Sequence, residues 1–410
     1  MSNSLIKLSR SKLKSGVDIQ ITGSKSESNR ALILQALYSG IELQNLSNSD
    51  DTQLLVKALS DNSDVVDIHH AGTAMRFLTA YFSVLDKSEV TLTGSNRMKE
   101  RPIQVLVDAL TSLGAQIEYI GNSGFPPLRI VGRDLINNEV KLRANVSSQY
   151  ISALLLIAPL LKNGLLLHLV GDITSRPYIE MTLALLTKIG VEVEFEGQLI
   201  TVKPLEKLEE RKLLTIESDW SSASYFYSLI ALSEVDTEVH LSHYFSNSLQ
   251  GDSVLQEVYK HFGVETSFTE SGITLNKKAK PKSTHIDLNL VNAPDIAQTI
   301  VVTCFGLNVG CYLSGLHTLK IKETDRLVAL KNELSKLGAN ISITNNSLKL
   351  ETSSMFIINQ TIETYNDHRM AMAFAPLALK GDININDKDV VSKSYPDFWR
   401  DLSLLGIQMK

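Results

Sequence analysis

The chain has 410 residues, 43% of them hydrophobic, 21% charged and 6% aromatic, which excludes the disordered and fibrous classes. With 40 Lys and Arg against 45 Asp and Glu, no basic field can hold a nucleic-acid backbone along a wide face, so any anion site must be local. One core cannot absorb this length, and two or three domains are expected.

Taken in chain order, Met1 to Gly16 carries Lys7, Arg10, Lys12 and Lys14 without the apolar core of a secretory signal. The run Thr22-Gly23-Ser24-Lys25-Ser26-Glu27-Ser28-Asn29-Arg30 precedes an apolar helix read over Ala31 to Leu37. Hydroxyls, a lysine and free amides at a helix start suit a phosphate, although plain capping explains the same residues and the Walker spacing is absent. Leu54 to Leu59 reads as a helix and Val65-Val66 as a strand. His69-His70 has no further ligand at metal spacing, so no metal is expected. Ala71-Gly72-Thr73-Ala74-Met75-Arg76 combines a glycine that permits close backbone approach with a hydroxyl and an arginine. Arg97-Met98-Lys99-Glu100-Arg101-Pro102 sets three cations before a helix that Pro102 should open. Such a group can clamp a carboxylate or phosphate, or be a solvated loop.

Pro102 to Leu113 places Ile103, Leu106, Val107, Leu110 and Leu113 at helical spacing, and Gln116 to Ile120 follows as a strand. Ser147-Ser148-Gln149 precedes an apolar helix beginning at Tyr150, either as an N-cap or as an anion seat at the positive end of the helix dipole. Its run Ile151 to Leu161 contains Pro159 and is shorter than the ~20 residues of a membrane span. Ser175-Arg176-Pro177-Tyr178 repeats the theme, and the polar stretch Leu205 to Arg211 is a candidate linker. Asp295, after Pro294, reads as a helix cap. Cys304 and Cys311 read as reduced core thiols in a cytoplasmic protein. Lys322-Glu323-Thr324-Asp325-Arg326 and Tyr365-Asn366-Asp367-His368-Arg369-Met370 mix acids and bases near helix starts, and Lys393 lies between Ser392 and Ser394.

A repeat organises these pieces. Gly114, Gly190, Gly263, Gly338 and Gly406 each follow an amphipathic stretch and precede a strand-like one, as a left-handed helix-closing residue does. Their spacing of roughly 70 residues gives about six units of strands and helices, too long for solenoid repeats and simplest as two domains of three.

Gly23 to Leu32, Ala71 to Arg76, Arg97 to Pro102, Ser147 to Gln149, Asp219 to Phe226, Lys322 to Arg326 and Tyr365 to Met372 together resemble, in order and over nearly the whole chain, the signatures of the 5-enolpyruvylshikimate-3-phosphate synthase family of enolpyruvyl transferases. The resemblance implies a two-domain inside-out α/β barrel, with three βαβαββ-type repeats per domain and the active site in the interdomain cleft. The expected domains are residues 23–216, and residues 1–22 with 217–410. It also implies that the family reaction, transfer of the enolpyruvyl group of phosphoenolpyruvate to the 5-hydroxyl of shikimate 3-phosphate, proceeds without metal or cofactor. Carried over, Lys25, Ser26, Arg30, Ser147, Ser148, Gln149, Ser175, Tyr178, Asp295 and Lys322 match the shikimate 3-phosphate side. Lys25, Gly72, Arg101, Gln149, Arg326, Arg369 and Lys393 match the phosphoenolpyruvate side. Lys25, Asp295, Glu323, His368 and Lys393 match catalytic positions, with Glu323 exchanging the methylene proton, Asp295 serving the hydroxyl, and Lys25 with Lys393 serving the leaving phosphate. The implied partners are these two small molecules, with neither nucleic acid nor membrane, and a monomer.

His70, Phe77 and Trp220 depart from the family pattern, which leaves the shape around Gly72 open. The rival readings are a UDP-N-acetylglucosamine enolpyruvyl transferase, whose usual loop cysteine is absent from Arg97 to Pro102, and a non-catalytic phospho-metabolite binder. Binding anions alone gives no reason to set Asp295 and Glu323 among the cations.

Overall fold

The structure, a computed structural model, describes residues 4–61, 63–144, 147–173, 176–353 and 355–410. It divides into two compact units, residues 23–216 and residues 1–22 with 217–410.

One sheet pattern recurs. In residues 23–216, Val65–Asp67 lies parallel to Glu89–Thr93, which pairs antiparallel with Leu128–Val131 and that with Gln116–Tyr119. Helices Gly72–Val84 and Gln104–Leu113 intervene in the chain, so the unit runs strand, helix, strand, helix, strand, strand. Glu139–Arg143, Leu165–Val170, Leu199–Val202 and Val193–Glu196 repeat that order. A shorter parallel pair, Ile41–Gln44 with Lys212–Thr215, makes the third sheet. The polar stretch 205–211 thus leads into a strand of this unit and is no linker.

The other unit holds three four-stranded sheets of the same pattern. In the last, the chain closes on itself: Ile6–Ser9 fits between Ile383–Ile385 and Gln408–Met409, antiparallel to both. The chain start thereby supplies the strand that the final repeat lacks.

Why the sheets face outward is visible in the side chains. Leu165–Val170 and Glu139–Arg143 alternate between buried and more exposed positions, leaving one face of the sheet to water. Helices Gly72–Val84, Ser148–Ile157, Trp220–Leu232 and Ala297–Leu307 are buried almost all round, as uniformly apolar helices must be. Helices therefore form the interior of each unit. Five of the helical segments close on the glycines of the repeat, whose φ values lie between 75° and 111°.

Several readings differ from expectation, among them the helix read from Tyr150, which begins at Ser148. Helix Lys25–Leu37 begins at Lys25 because Ser24 caps it, so Lys25 to Arg30 form its first turns instead of a preceding loop. The helix after Arg101 begins at Gln104, not Pro102, because the Pro102 carbonyl is already taken by Arg76 and Tyr150. Asp295 is not the cap residue: it lies in the turn Pro294–Ile296, and Ile296 stands at the cap of helix Ala297–Leu307.

Candidate active site

Each unit gathers a polar cluster. In residues 23–216, Arg30 is 2% exposed. Its Nε donates to Thr182 Oγ1 at 2.8 Å, Nη2 to Ser152 Oγ at 2.9 Å, and Nη1 to the Ser26 carbonyl at 2.7 Å. A longer bond of 3.4 Å reaches the Tyr178 carbonyl. The guanidinium thus ties the first turn of helix Lys25–Leu37 to helices Ser148–Ile157 and Arg176–Lys188. Burial lowers its pKa to about 10, which still leaves it charged at neutral pH. Gln149 Nε2 donates to Thr73 Oγ1 at 3.0 Å, joining the start of helix Gly72–Val84 to the same group. Ser147 caps helix Ser148–Ile157 by accepting from the Gln149 amide. Four helices are thereby cross-linked near their starts, and helix N-termini favour anions.

Arg101 is aimed at this group by its loop. Arg76 donates from Nη2 to the Pro102 carbonyl at 2.9 Å and from Nη1 to the Gly72 carbonyl at 3.1 Å, while Tyr150 donates to Pro102 at 2.6 Å. The Arg101 guanidinium consequently rests on Gly72, where a β carbon would lie 2.9 Å from Cζ and Nη2 and closer still to Nη1. Gly72 is small because that space belongs to Arg101. Lys25 Nζ stands 3.4 Å from Asp51 Oδ2, whose other oxygen is 3.8 Å from His70 Nε2. Ser175 lies outside the described residues.

In the other unit Arg326, 1% exposed, is the centre. Nε donates to Asp367 Oδ2 at 2.6 Å, Nη1 to Asp295 Oδ1 at 2.8 Å, and Nη2 to Glu323 Oε2 at 2.9 Å. Lys322 lies 3.3 Å from Asp295, and Lys393 donates to Glu323 Oε1 at 2.8 Å. Arg369 donates to the Asp295 carbonyl and to Ser221 Oγ, both at 3.2 Å. His368 is buried beside Asp367, Nδ1 to Oδ1 3.8 Å. Burial alone would push the Asp295 and Glu323 carboxyls up; Lys322, Arg369 and Arg326 outweigh it and hold Asp295 well below the usual carboxylate range. Lys393, Arg326 and His368 do the same for Glu323. Burial opposes charge on Arg326 too, and Asp367, Glu323 and Asp295 overcome it.

Asp295, Lys322, Glu323, Arg326, Arg369 and Lys393 are thus brought together, as are Gly72, Arg101 and Gln149. Sequence reasoning gave no role to Asp51, Asp252, Ser221 or Asp367. Asp367 stood inside a quoted motif, whereas Asp252, seated against Ser221, had no spacing signal at all.

The fold belongs to a known class of two-domain α/β proteins. Two solved structures of EPSP synthase from Acinetobacter baumannii superimpose with TM-scores of 0.83 and 0.80 at 21% and 20% identity. The first match covers 100% of this chain and 99% of that one, the second 99% of each. In sequence, the 3-phosphoshikimate 1-carboxyvinyltransferase of Bacteroides fragilis (strain YCH46) is 50% identical over 400 residues, 96% of each chain. That of Haemophilus influenzae is 35% identical over 422 residues, 95% of this chain and 96% of its own. A model of the EPSP synthase (3-phosphoshikimate 1-carboxyvinyltransferase) family matches residues 57–402. The chain belongs to the EPSP synthase family.

Proposed function

We propose that this chain transfers the enolpyruvyl group of phosphoenolpyruvate to the 5-hydroxyl of shikimate 3-phosphate, releasing inorganic phosphate, in the cytoplasmic route to chorismate and aromatic amino acids. The observation that carries the reading is that Asp295 and Glu323 occupy opposite Nη atoms of one buried arginine. Addition followed by elimination needs an acid and a base held apart, and a rigid cation between two carboxylates provides that separation.

Lys25, Ser26, Arg30, Ser147, Ser148, Gln149, Ser175 and Tyr178 take the shikimate 3-phosphate side, with Asp295 and Lys322. Lys25, Gly72, Arg101, Gln149, Arg326, Arg369 and Lys393 take phosphoenolpyruvate. The two substrates bring two phosphates and two carboxylates that repel each other, and arginines answer them with bidentate bonds. Asp295 draws the proton from the 5-hydroxyl as its oxygen bonds to C2 of phosphoenolpyruvate. Glu323 delivers a proton to C3, giving a tetrahedral ketal. The C2–O bond to phosphate then breaks, Glu323 recovers a proton from the new methyl group, and the double bond returns. Lys25 and Lys393 stabilise the departing phosphate, and His368 helps to set the charge of Glu323.

Before substrates arrive both carboxyls are pinned as anions by their cation partners. Substrate anions compete for those cations, weaken the hold, and raise both proton affinities toward the working range. Glu323 can carry a proton only then, which couples acid–base competence to occupancy.

Lys25→Ala in one unit and Asp295→Asn in the other are each expected to cut turnover of the same two-substrate reaction by about 10²-fold or more. Steady-state kinetics checks this, and full turnover in either variant would refute a reaction served by both clusters.

A further inference from the structure

We infer that Asp252, acting through Ser221, is a positioning residue that aims the guanidinium of Arg369 at the carboxylate of phosphoenolpyruvate; this rests on the assignment of Arg369 made above. Asp252 is 5% exposed and lies in the turn Gly251–Val254, which packs on helix Trp220–Leu232. Its Oδ2 accepts a hydrogen bond from Ser221 Oγ. A hydroxyl has one proton to give. While that proton is committed to Asp252, Ser221 can meet its other neighbour, Arg369 Nη2 at 3.2 Å, only as an acceptor. Nη2 also lies 3.6 Å from Asp295 Oδ2, and Nη1 donates to the Asp295 carbonyl at 3.2 Å. Arg369 is thus held between Asp295 and the Ser221–Asp252 pair, and the buried carboxylate fixes the direction of the whole chain of bonds.

The groups facing Asp252 make this arrangement sensitive to protons. Burial, Asp295 and Asp219 disfavour its charge, while Arg369 and the Ser221 bond favour it, and the balance places its pKa at about 6. As the pH falls through that value Asp252 gains a proton and becomes a donor. The Ser221 hydroxyl no longer has to point at Asp252, and its own proton then competes with Arg369 for the space between them. Affinity for phosphoenolpyruvate should fall on the acid side. Phosphate groups of the substrates titrate in the same range, so the signal is the difference between wild type and a variant that cannot titrate at this position.

The test is steady-state kinetics of the full chain, with KM for each substrate measured between pH 5 and 8. Ser221→Ala and Asp252→Asn are each expected to raise KM for phosphoenolpyruvate about tenfold, with KM for shikimate 3-phosphate changed less than about twofold, the size of one weakened charge-assisted bond. The double variant should be no worse than Ser221→Ala alone, Ser221→Thr should restore a low KM, and Asp252→Asn should lose the acid-side rise in excess of what the substrates themselves cause. Effects that multiply in the double variant, or that raise both KM values together, would overturn the inference in favour of packing. Should Asp252→Asn not fold, the contrast of Ser221→Ala with Ser221→Thr decides it. Arg369→Lys separates the two levels: if it leaves KM for phosphoenolpyruvate unchanged, the assignment of Arg369 falls and this inference with it. If Arg369→Lys raises KM and Ser221→Ala does not, only this inference falls.

Discussion

Glu323 and Gly72 show how single residues divide the work. Glu323 touches two cations, Lys393 and Arg326, so its amide analogue would remove the charge and keep the shape. Glu323→Gln is expected to lower kcat about 10²–10⁴-fold, measured by phosphate release at saturating substrates; unchanged turnover would remove Glu323 from the proton-transfer role. Gly72 acts by having no side chain. A methyl group there meets the Arg101 guanidinium, so Gly72→Ala is expected to raise KM for phosphoenolpyruvate about tenfold, the cost of displacing a charge-assisted contact, with thermal stability nearly unchanged. The chemistry of Gly72 was visible in the sequence as a glycine beside an arginine. Arg101 was joined to it only through the family resemblance, because it arrives from a loop whose path is set by two bonds to the Pro102 carbonyl.

Elements carry the charge network. Helix Arg326–Lys336 begins with the arginine that answers three carboxylates, while Asp325 caps the helix by accepting from the Val328 amide. Arg326→Met would leave Asp295, Glu323 and Asp367 buried without their shared cation, which costs about 3–5 kcal/mol. The pH dependence has a definite sign. Asp295 and Glu323 titrate lower folded than unfolded, so they add stability above the unfolded carboxyl value of about 4 and lose it as the pH falls through their folded values. The destabilisation by Arg326→Met should therefore be large at pH 7 and shrink toward pH 3, where the abandoned carboxyls take up protons. Thermal melts of both proteins across that range check it; a pH-independent gap would mean the arginine serves packing alone. Helix periodicity and closing glycines read well from sequence, because both are local. The start of helix Lys25–Leu37 did not, since buried Ser28, Asn29 and Arg30 look like loop until their partners on other helices are known. Asp295 read as a cap for the same reason: its true partners, Lys322, Arg326 and Arg369, come from distant segments.

At the scale of the molecule, sequence self-similarity gave the right counting unit. Five four-stranded sheets share one pattern, and the parallel pair Ile41–Gln44 with Lys212–Thr215 adds a reduced sixth among the described residues. The pairing of Ile6–Ser9 with strands some 380 and 400 residues later has no local signal and entered only through the family resemblance. The most direct test of the whole reading is phosphate release from phosphoenolpyruvate with alternative acceptors. Phosphate should appear in step with enol ether product when shikimate 3-phosphate is present, and remain at background with UDP-N-acetylglucosamine or with no acceptor. Phosphate release driven by UDP-N-acetylglucosamine, or none with shikimate 3-phosphate, would contradict it.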